Sequence, residues 1–206
     1  MTATLTLWMQ TILDGRAEGP NGEFDWPTVG DDMTSYGLPE LRKMGTFLYG
    51  RKVFEGMAAF WPDAETWMPD SPFHVAFAQL WKPMPKIVFS RTLTEADWNS
   101  RVVRSNVVEE VTKLKAEADA GLVCFGGPDI ASTLIGNDLV DEFRLFIHPV
   151  VLGGGPSIFP ALGERFNLRL DDTRTFDSAV TLVRYSRVRD AATGESPIEP
   201  GLADAR

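Results

Sequence analysis

Two short apolar runs, Thr46 to Lys52 (TFLYGRK) and Leu122 to Pro128 (LVCFGGP), each end in glycine and lead into a segment that can open a helix. A strand handing over to a helix in this way leaves backbone N–H groups uncommitted at the positive end of the helix dipole, where an anion can approach closely. Arg51 and Lys52 stand at the first turn of one such helix. Cations there oppose the dipole, which an anionic partner would offset. Two turns of this kind suit a ligand that carries phosphate at more than one point, as a dinucleotide does.

At 206 residues with 44% hydrophobic and 24% charged, the chain can build one well-buried core, expected over residues 1–189 with a flexible polar tail over 190–206. The 20 Lys and Arg against 29 Asp and Glu give a net charge of -9, which argues against a surface for nucleic acid or an anionic membrane. With no signal-like segment and no apolar run of bilayer length, a soluble cytoplasmic protein is expected. Cys124 is the only cysteine and lies in an apolar run, so neither an internal disulfide nor a thiolate metal cluster can form, and it reads as a core residue. His74 and His148 lack companions at metal-ligand spacing and read as structural.

The order of elements follows from composition and turn residues. A first strand is expected over Ala3 to Thr11, closed by Asp14-Gly15. Asp31 to Met44 reads as a short irregular helix or two pieces, interrupted at Gly37 and Pro39. A buried strand over Thr46 to Tyr49 precedes a helix over Arg51 to Phe60. Within the proline- and tryptophan-rich stretch that follows, Pro72 to Trp81 can be helical. Strands are expected over Lys86 to Ser90 and Arg101 to Arg104. Asn106 can cap a helix striped by Val107, Val111, Leu114 and Ala118, with Glu109 placed as in a capping box and Gly121 at its end. Leu122 to Phe125 is then a strand and Pro128 to Ile135 a helix with proline at its start. Phe143 to Leu152 reads as a long strand, and Arg169 to Phe176 and Ala179 to Arg187 as a hairpin about Asp177-Ser178. Helices separate strands in the first two thirds and nearly vanish in the last. That pattern predicts an α/β fold: a mostly parallel central sheet flanked by helices, with an antiparallel C-terminal hairpin at one edge.

Several motifs in this order resemble the dihydrofolate reductase-like superfamily, and within it the reductase domain of the bifunctional riboflavin-biosynthesis deaminase-reductase and its stand-alone relatives. The residues that carry the likeness are Leu13-Asp14-Gly15, Asp25-Trp26, Gly50-Arg51-Lys52, Phe89-Ser90-Arg91, Gly126-Gly127-Pro128, Leu139 to Glu142 and the run from Pro149 to Pro156. The resemblance implies NADPH-dependent hydride transfer to a heterocyclic carbon-nitrogen double bond, on a pteridine-like substrate or a ribosylaminopyrimidine. It also implies pairing into a homodimer, for which the apolar run Phe143 to Leu152 is a candidate surface.

By that resemblance, Arg51 and Lys52 meet the pyrophosphate or the adenosine 2'-phosphate, and Ser90 and Arg91 lie at the 2'-phosphate, where a guanidinium fork favours NADPH over NADH. Gly126, Gly127 and Pro128 bring backbone to the pyrophosphate, while Gln10 and the loop Asp14, Gly15 to Ala17 seat and cover the nicotinamide. Val53 departs from the family, whose members usually carry threonine there. Trp26 would stack near the substrate. Asp31 and Asp32, five and six residues after Trp26, are the candidate catalytic carboxylates, with Asp31 at the better spacing; acidic residues at a helix start also answer the dipole. No metal is expected. The chain lacks the zinc-deaminase signature, a Gly-x-Ser-x-Gly elbow and a Gly-x-Gly-x-x-Gly fingerprint. The rival reading is a module of the same fold that binds NADPH without turnover, as a sensor or sequestering protein.

Overall fold

The computed structural model describes residues 2–159 and 166–189, so the expected tail from 190 onward lies outside the described residues. Eight strands form one sheet: β1 (Leu5–Ile12), β2 (Met44–Gly50), β3 (Lys86–Phe89), β4 (Ser100–Val103), β5 (Gly121–Cys124), β6 (Glu142–His148), β7 (Leu168–Thr175) and β8 (Thr181–Arg187). Their order is β4-β3-β2-β5-β1-β6-β8-β7. The neighbours from β4 to β6 pair in parallel, and β8 and β7 add the antiparallel hairpin at one edge, as the pattern of elements predicts. The hairpin turn lies where expected: Phe176 N–H donates to Val180 O at 2.9 Å and Ala179 takes the left-handed conformation at φ 60°.

The central strands are buried on both faces, which is why β2, β3 and β5 read as continuous apolar runs rather than alternating ones. On one face Leu5, Leu7 and Met9 of β1 pack with α5 (Val107–Glu117) and α6 (Pro128–Gly136) through Val111, Ile130 and Leu134. On the other face Trp8, Tyr49 and Phe146 meet α1 (Asp31–Leu41), α2 (Arg51–Phe60) and α4 (Pro72–Trp81) through Met33, Phe54, Phe77 and Trp81. A 3-10 turn at Trp61–Asp63 and α3 (Ala64–Trp67) occupy the tryptophan-rich stretch before α4. Cys124 is fully buried and burial pushes its thiol up to about 12, so it behaves as a core residue.

Several boundaries differ from the expectation for local reasons. α1 is continuous through Gly37 and Pro39; the proline falls in its last turn, and beyond it Arg42 N–H still reaches Leu38 O at 3.1 Å. Gly37 is buried against Trp8 rather than breaking the helix. β6 ends at His148, since Pro149 has no N–H to extend the ladder. Asn106 does not cap α5 with its side chain; it adopts φ 54° and donates Nδ2 to Glu109 Oε2 at 3.3 Å. α5 closes at Ala118, and Gly121 instead begins β5.

One buried charge stands out. Lys86 on β3 is 1% exposed, lies 4.1 Å from the centre of the Trp81 ring, and donates Nζ to the carbonyls of Trp81, Met84 and Trp98 at 2.5, 2.8 and 2.7 Å. Burial draws its pKa down to about 8. The ammonium thereby ties the end of α4 to the loop before β4, where Trp98 and Asn99 both take positive φ. No helix among the described residues is long and apolar enough to cross a membrane.

Candidate functional site

The two glycine turns abut. β2 and β5 are neighbours, and Gly50 N–H donates to Gly126 O at 2.7 Å across the point where both strands end. A Cβ on Gly50 would lie 3.2 Å from Gly127 N, so glycine lets the turns approach this closely without a shift of a few tenths of an ångström. Gly50 and Gly127 are the N-cap residues of α2 and α6, and neither helix start carries a side-chain cap. The free amides of both first turns therefore open side by side at the carboxyl ends of two interior strands. Gly126 takes φ 89°, and a Cβ there would lie 2.9 Å from Met9 Cε; the peptide between Gly126 and Gly127 is cis. Pro128 takes the first position of α6, where it needs no N–H.

Side chains around the turns sort by exposure. Arg51 and Lys52 are exposed at the start of α2, and Arg51 Nη1 lies 3.2 Å from Glu55 Oε1 one turn on, a partner the sequence reading did not single out. Val53 packs beneath the second turn, its Cγ2 3.7 Å from a Cβ placed on Gly127. The register pairs Gly50 with Phe89, which sets Ser90 and Arg91 at the same end of the sheet. Ser90 Oγ accepts from Leu93 N–H at 2.9 Å and so shapes the loop, leaving Arg91 exposed.

β1 supplies the floor. It pairs with β5 only over Leu5 to Leu7 but with β6 on to Ile12, so from Trp8 onward its β5-side edge faces no strand. This divergence of two parallel strands at their carboxyl ends is where open α/β sheets bind ligands. The loop after β1 is stitched to the glycine run that follows β6. Gly153 N–H donates to Asp14 Oδ2 at 3.1 Å, Ile158 N–H to Gly15 O at 3.1 Å and Ala17 N–H to Pro156 O at 3.2 Å. Gly155, at φ 97°, sits so close that a Cβ would lie 2.1 Å from Glu18 O. The triple glycine is thus a close-approach loop.

On the α1 face, at the carboxyl ends of β1 and β6, Gln10, Trp26 and His148 meet. Gln10 Oε1 lies 2.6 Å from His148 Nε2, and the Trp26 and His148 rings meet edge to face at 5.1 Å. His148 is 1% exposed and burial lowers its pKa, so it is neutral near pH 7. The candidate carboxylates differ in setting. Asp31 is exposed, whereas Asp32 accepts from Met33 N–H with Oδ1 and from Asp177 N–H with Oδ2, both at 2.7 Å, tying α1 to the β7–β8 turn. Among the described residues no group of three or more His, Cys, Asp and Glu side chains is placed to hold a metal ion.

The sequence matches the model of the RibD C-terminal domain family over residues 3–182. It is 40% identical over 185 residues to YyaP, an uncharacterised protein of Bacillus subtilis (strain 168), covering 88% of this chain and 93% of that one. The diaminohydroxyphosphoribosylaminopyrimidine deaminase/5-amino-6-(5-phosphoribosylamino)uracil reductase of Thermotoga maritima superposes with a TM-score of 0.62 at 16% identity, covering 91% of this chain and 57% of that one. A dihydrofolate reductase from Enterococcus faecalis, in complex with NADP(H) and RAB-propyl, superposes with a TM-score of 0.59 at 18% identity over 90% of this chain and 96% of that one.

Proposed function

The chain belongs to the RibD C-terminal domain family, and from that premise we propose that it is an NADPH-dependent reductase acting on a small heterocycle of pteridine or ribosylaminopyrimidine type. One observation carries the reading: the Gly50 N–H to Gly126 O contact, which sets the starts of α2 and α6 together. Their open amides, with Arg51 and Lys52 beside them, fit a pyrophosphate, and Arg91 fits the 2'-phosphate. The coenzyme, when bound, supplies the hydride. The unpaired edge of β1 near Gln10 offers backbone partners to a carboxamide, and the stitched loop Asp14 to Ala17 shields that end from water. Of the two candidate carboxylates, Asp31 is exposed, whereas both oxygens of Asp32 are engaged by backbone N–H groups.

Titration with NADPH and NADH, followed by quenching of tryptophan fluorescence, tests the reading. The wild-type protein is expected to prefer NADPH, and Arg91→Ala to erode that preference by about 1 to 3 kcal/mol, the worth of charged hydrogen bonds to phosphate. An unchanged preference removes Arg91 from the site, and failure to bind NADPH overturns the reading. Oxidation of NADPH with dihydrofolate or a ribosylaminopyrimidine then separates a reductase from a protein that only binds the coenzyme.

A further inference from the structure

A column of aromatic rings runs behind the glycine turns. Tyr49 and Phe125 are the residues immediately before Gly50 and Gly126, and their rings stack with centroids 5.3 Å apart and planes 13° from parallel. Phe125 N–H donates to Leu48 O at 3.1 Å, so the stack continues the β2–β5 ladder up to the point where Gly50 meets Gly126. Tyr49 is fully buried, and its hydroxyl accepts from Trp81 Nε1–H at 3.0 Å. Trp81, also fully buried, is the last residue of α4 and holds the Lys86 ammonium over its ring. The column therefore joins Lys86, at the start of β3, to the two turns at the other end of the sheet.

The three N–H bonds of that ammonium match three carbonyls, those of Trp81, Met84 and Trp98. A neutral amine has two N–H bonds for the same acceptors and turns its lone pair toward the third, so loss of the proton frees one carbonyl and loosens the hold on Trp81. Ionisable neighbours are few. Asp97, from the loop before β4, and Arg101 of β4 border the hollow beside Lys86. Lys82, whose carbonyl lies 3.4 Å from the Lys86 Nζ, pairs its own ammonium with Glu65 at 2.6 Å. Burial raises the pKa of Tyr49 on β2, which keeps that hydroxyl neutral. Burial also draws the pKa of Lys86 down to about 8, so both of its forms are reached between pH 7 and 9.5. Resting on the coenzyme reading above, we propose that Trp81 and Tyr49 are positioning residues through which the protonation of Lys86 sets the spacing of the two glycine turns, and with it the grip on NADPH. The charged form keeps the column in place and gives the tighter site. The neutral form releases Trp81 and Tyr49, and the turns with them.

Isothermal titration of NADPH across pH 7 to 9.5, on protein shown by circular dichroism to be folded at each pH, tests this. The wild-type dissociation constant is expected to rise by about fivefold across that range, following the titration of Lys86. Linkage is reciprocal, so saturating NADPH is expected to raise the pKa of Lys86, read from the 13Cε chemical shift of that lysine. Lys86→Met has no proton to lose there and is expected to give a flat profile. Tyr49→Phe keeps the ring against Phe125 and removes the acceptor of the Trp81 indole; it is expected to flatten the profile while Lys86 still titrates, an outcome that general loosening of the fold does not produce. Should the methionine variant not fold, Tyr49→Phe carries the test alone. A flat wild-type profile, a Lys86 pKa unmoved by NADPH, or the wild-type pH dependence retained in either variant would overturn the proposal and leave the coenzyme reading standing. Failure of NADPH to bind at any pH overturns both.

Discussion

Lys86→Ala is expected to lower the free energy of unfolding by about 3 to 5 kcal/mol. Truncation leaves a void under the Trp81 ring and strips the carbonyls of Trp81, Met84 and Trp98 of the ammonium that satisfies all three. Lys86→Met separates the two contributions, because it fills the space but donates nothing. Its loss is expected to be smaller, about 2 kcal/mol, since removing a buried charge offsets part of the cost of the orphaned carbonyls. Urea unfolding followed by tryptophan fluorescence measures both. A loss below about 1 kcal/mol for the alanine variant would mean that water or backbone relaxation replaces the ammonium. Because Trp98 and Asn99 hold left-handed conformations beside this clamp, the alanine variant should also expose amides 96–99 to faster hydrogen exchange than the rest of the sheet.

Gly50→Val is expected to weaken NADPH binding by about a hundredfold or more, equivalent to about 2.7 kcal/mol. The Cβ alone would lie 3.2 Å from Gly127 N, 3.4 Å from Ile130 Cγ2 and 3.5 Å from Gly126 O, so the branched side chain must push the two turns apart. That displacement breaks the 2.7 Å hydrogen bond from Gly50 to Gly126 and separates the two sets of helix-start amides. Gly50→Ala should show a smaller loss of the same kind, because a single methyl can be accommodated by a few tenths of an ångström. Isothermal titration on protein shown by circular dichroism to be folded checks both. Wild-type affinity in the valine variant would mean that the coenzyme does not use both turns.

The succession of elements and the helix positions were legible wherever local chemistry was strong, while the spatial order of the strands was not. The glycine turns, the stripe of Val107, Val111 and Leu114, the proline starts of α4 and α6, and the Asp177-Ser178 turn each announce an element by itself. What stayed hidden depends on distant partners. Nothing near Lys86 in the chain shows that it will be buried, since its cage is built from the end of α4 and the loop before β4. His148 reads as an isolated histidine until β1 brings Gln10 and the segment after Trp26 brings Thr28 against its two nitrogens. Asp32 shows the reverse case: its sequence position suggests chemistry, and the Asp177 amide, 145 residues away, engages one of its oxygens. Gly153 to Gly155 likewise gain their meaning only from the loop after β1 that they approach. Glycine turns and capping signals are local statements; the polarity of a pocket is a statement about which strands end together.

The central claim is that one coenzyme spans both glycine turns. Backbone amide chemical shifts of the wild-type protein, followed as NADPH is added, test it most directly. The amides of Arg51 to Val53 and those of Gly127 and Asp129 to Ile130 are expected to shift together, with one dissociation constant, and Arg91 with them. Shifts confined to a single turn, or two turns titrating with different constants, would contradict it.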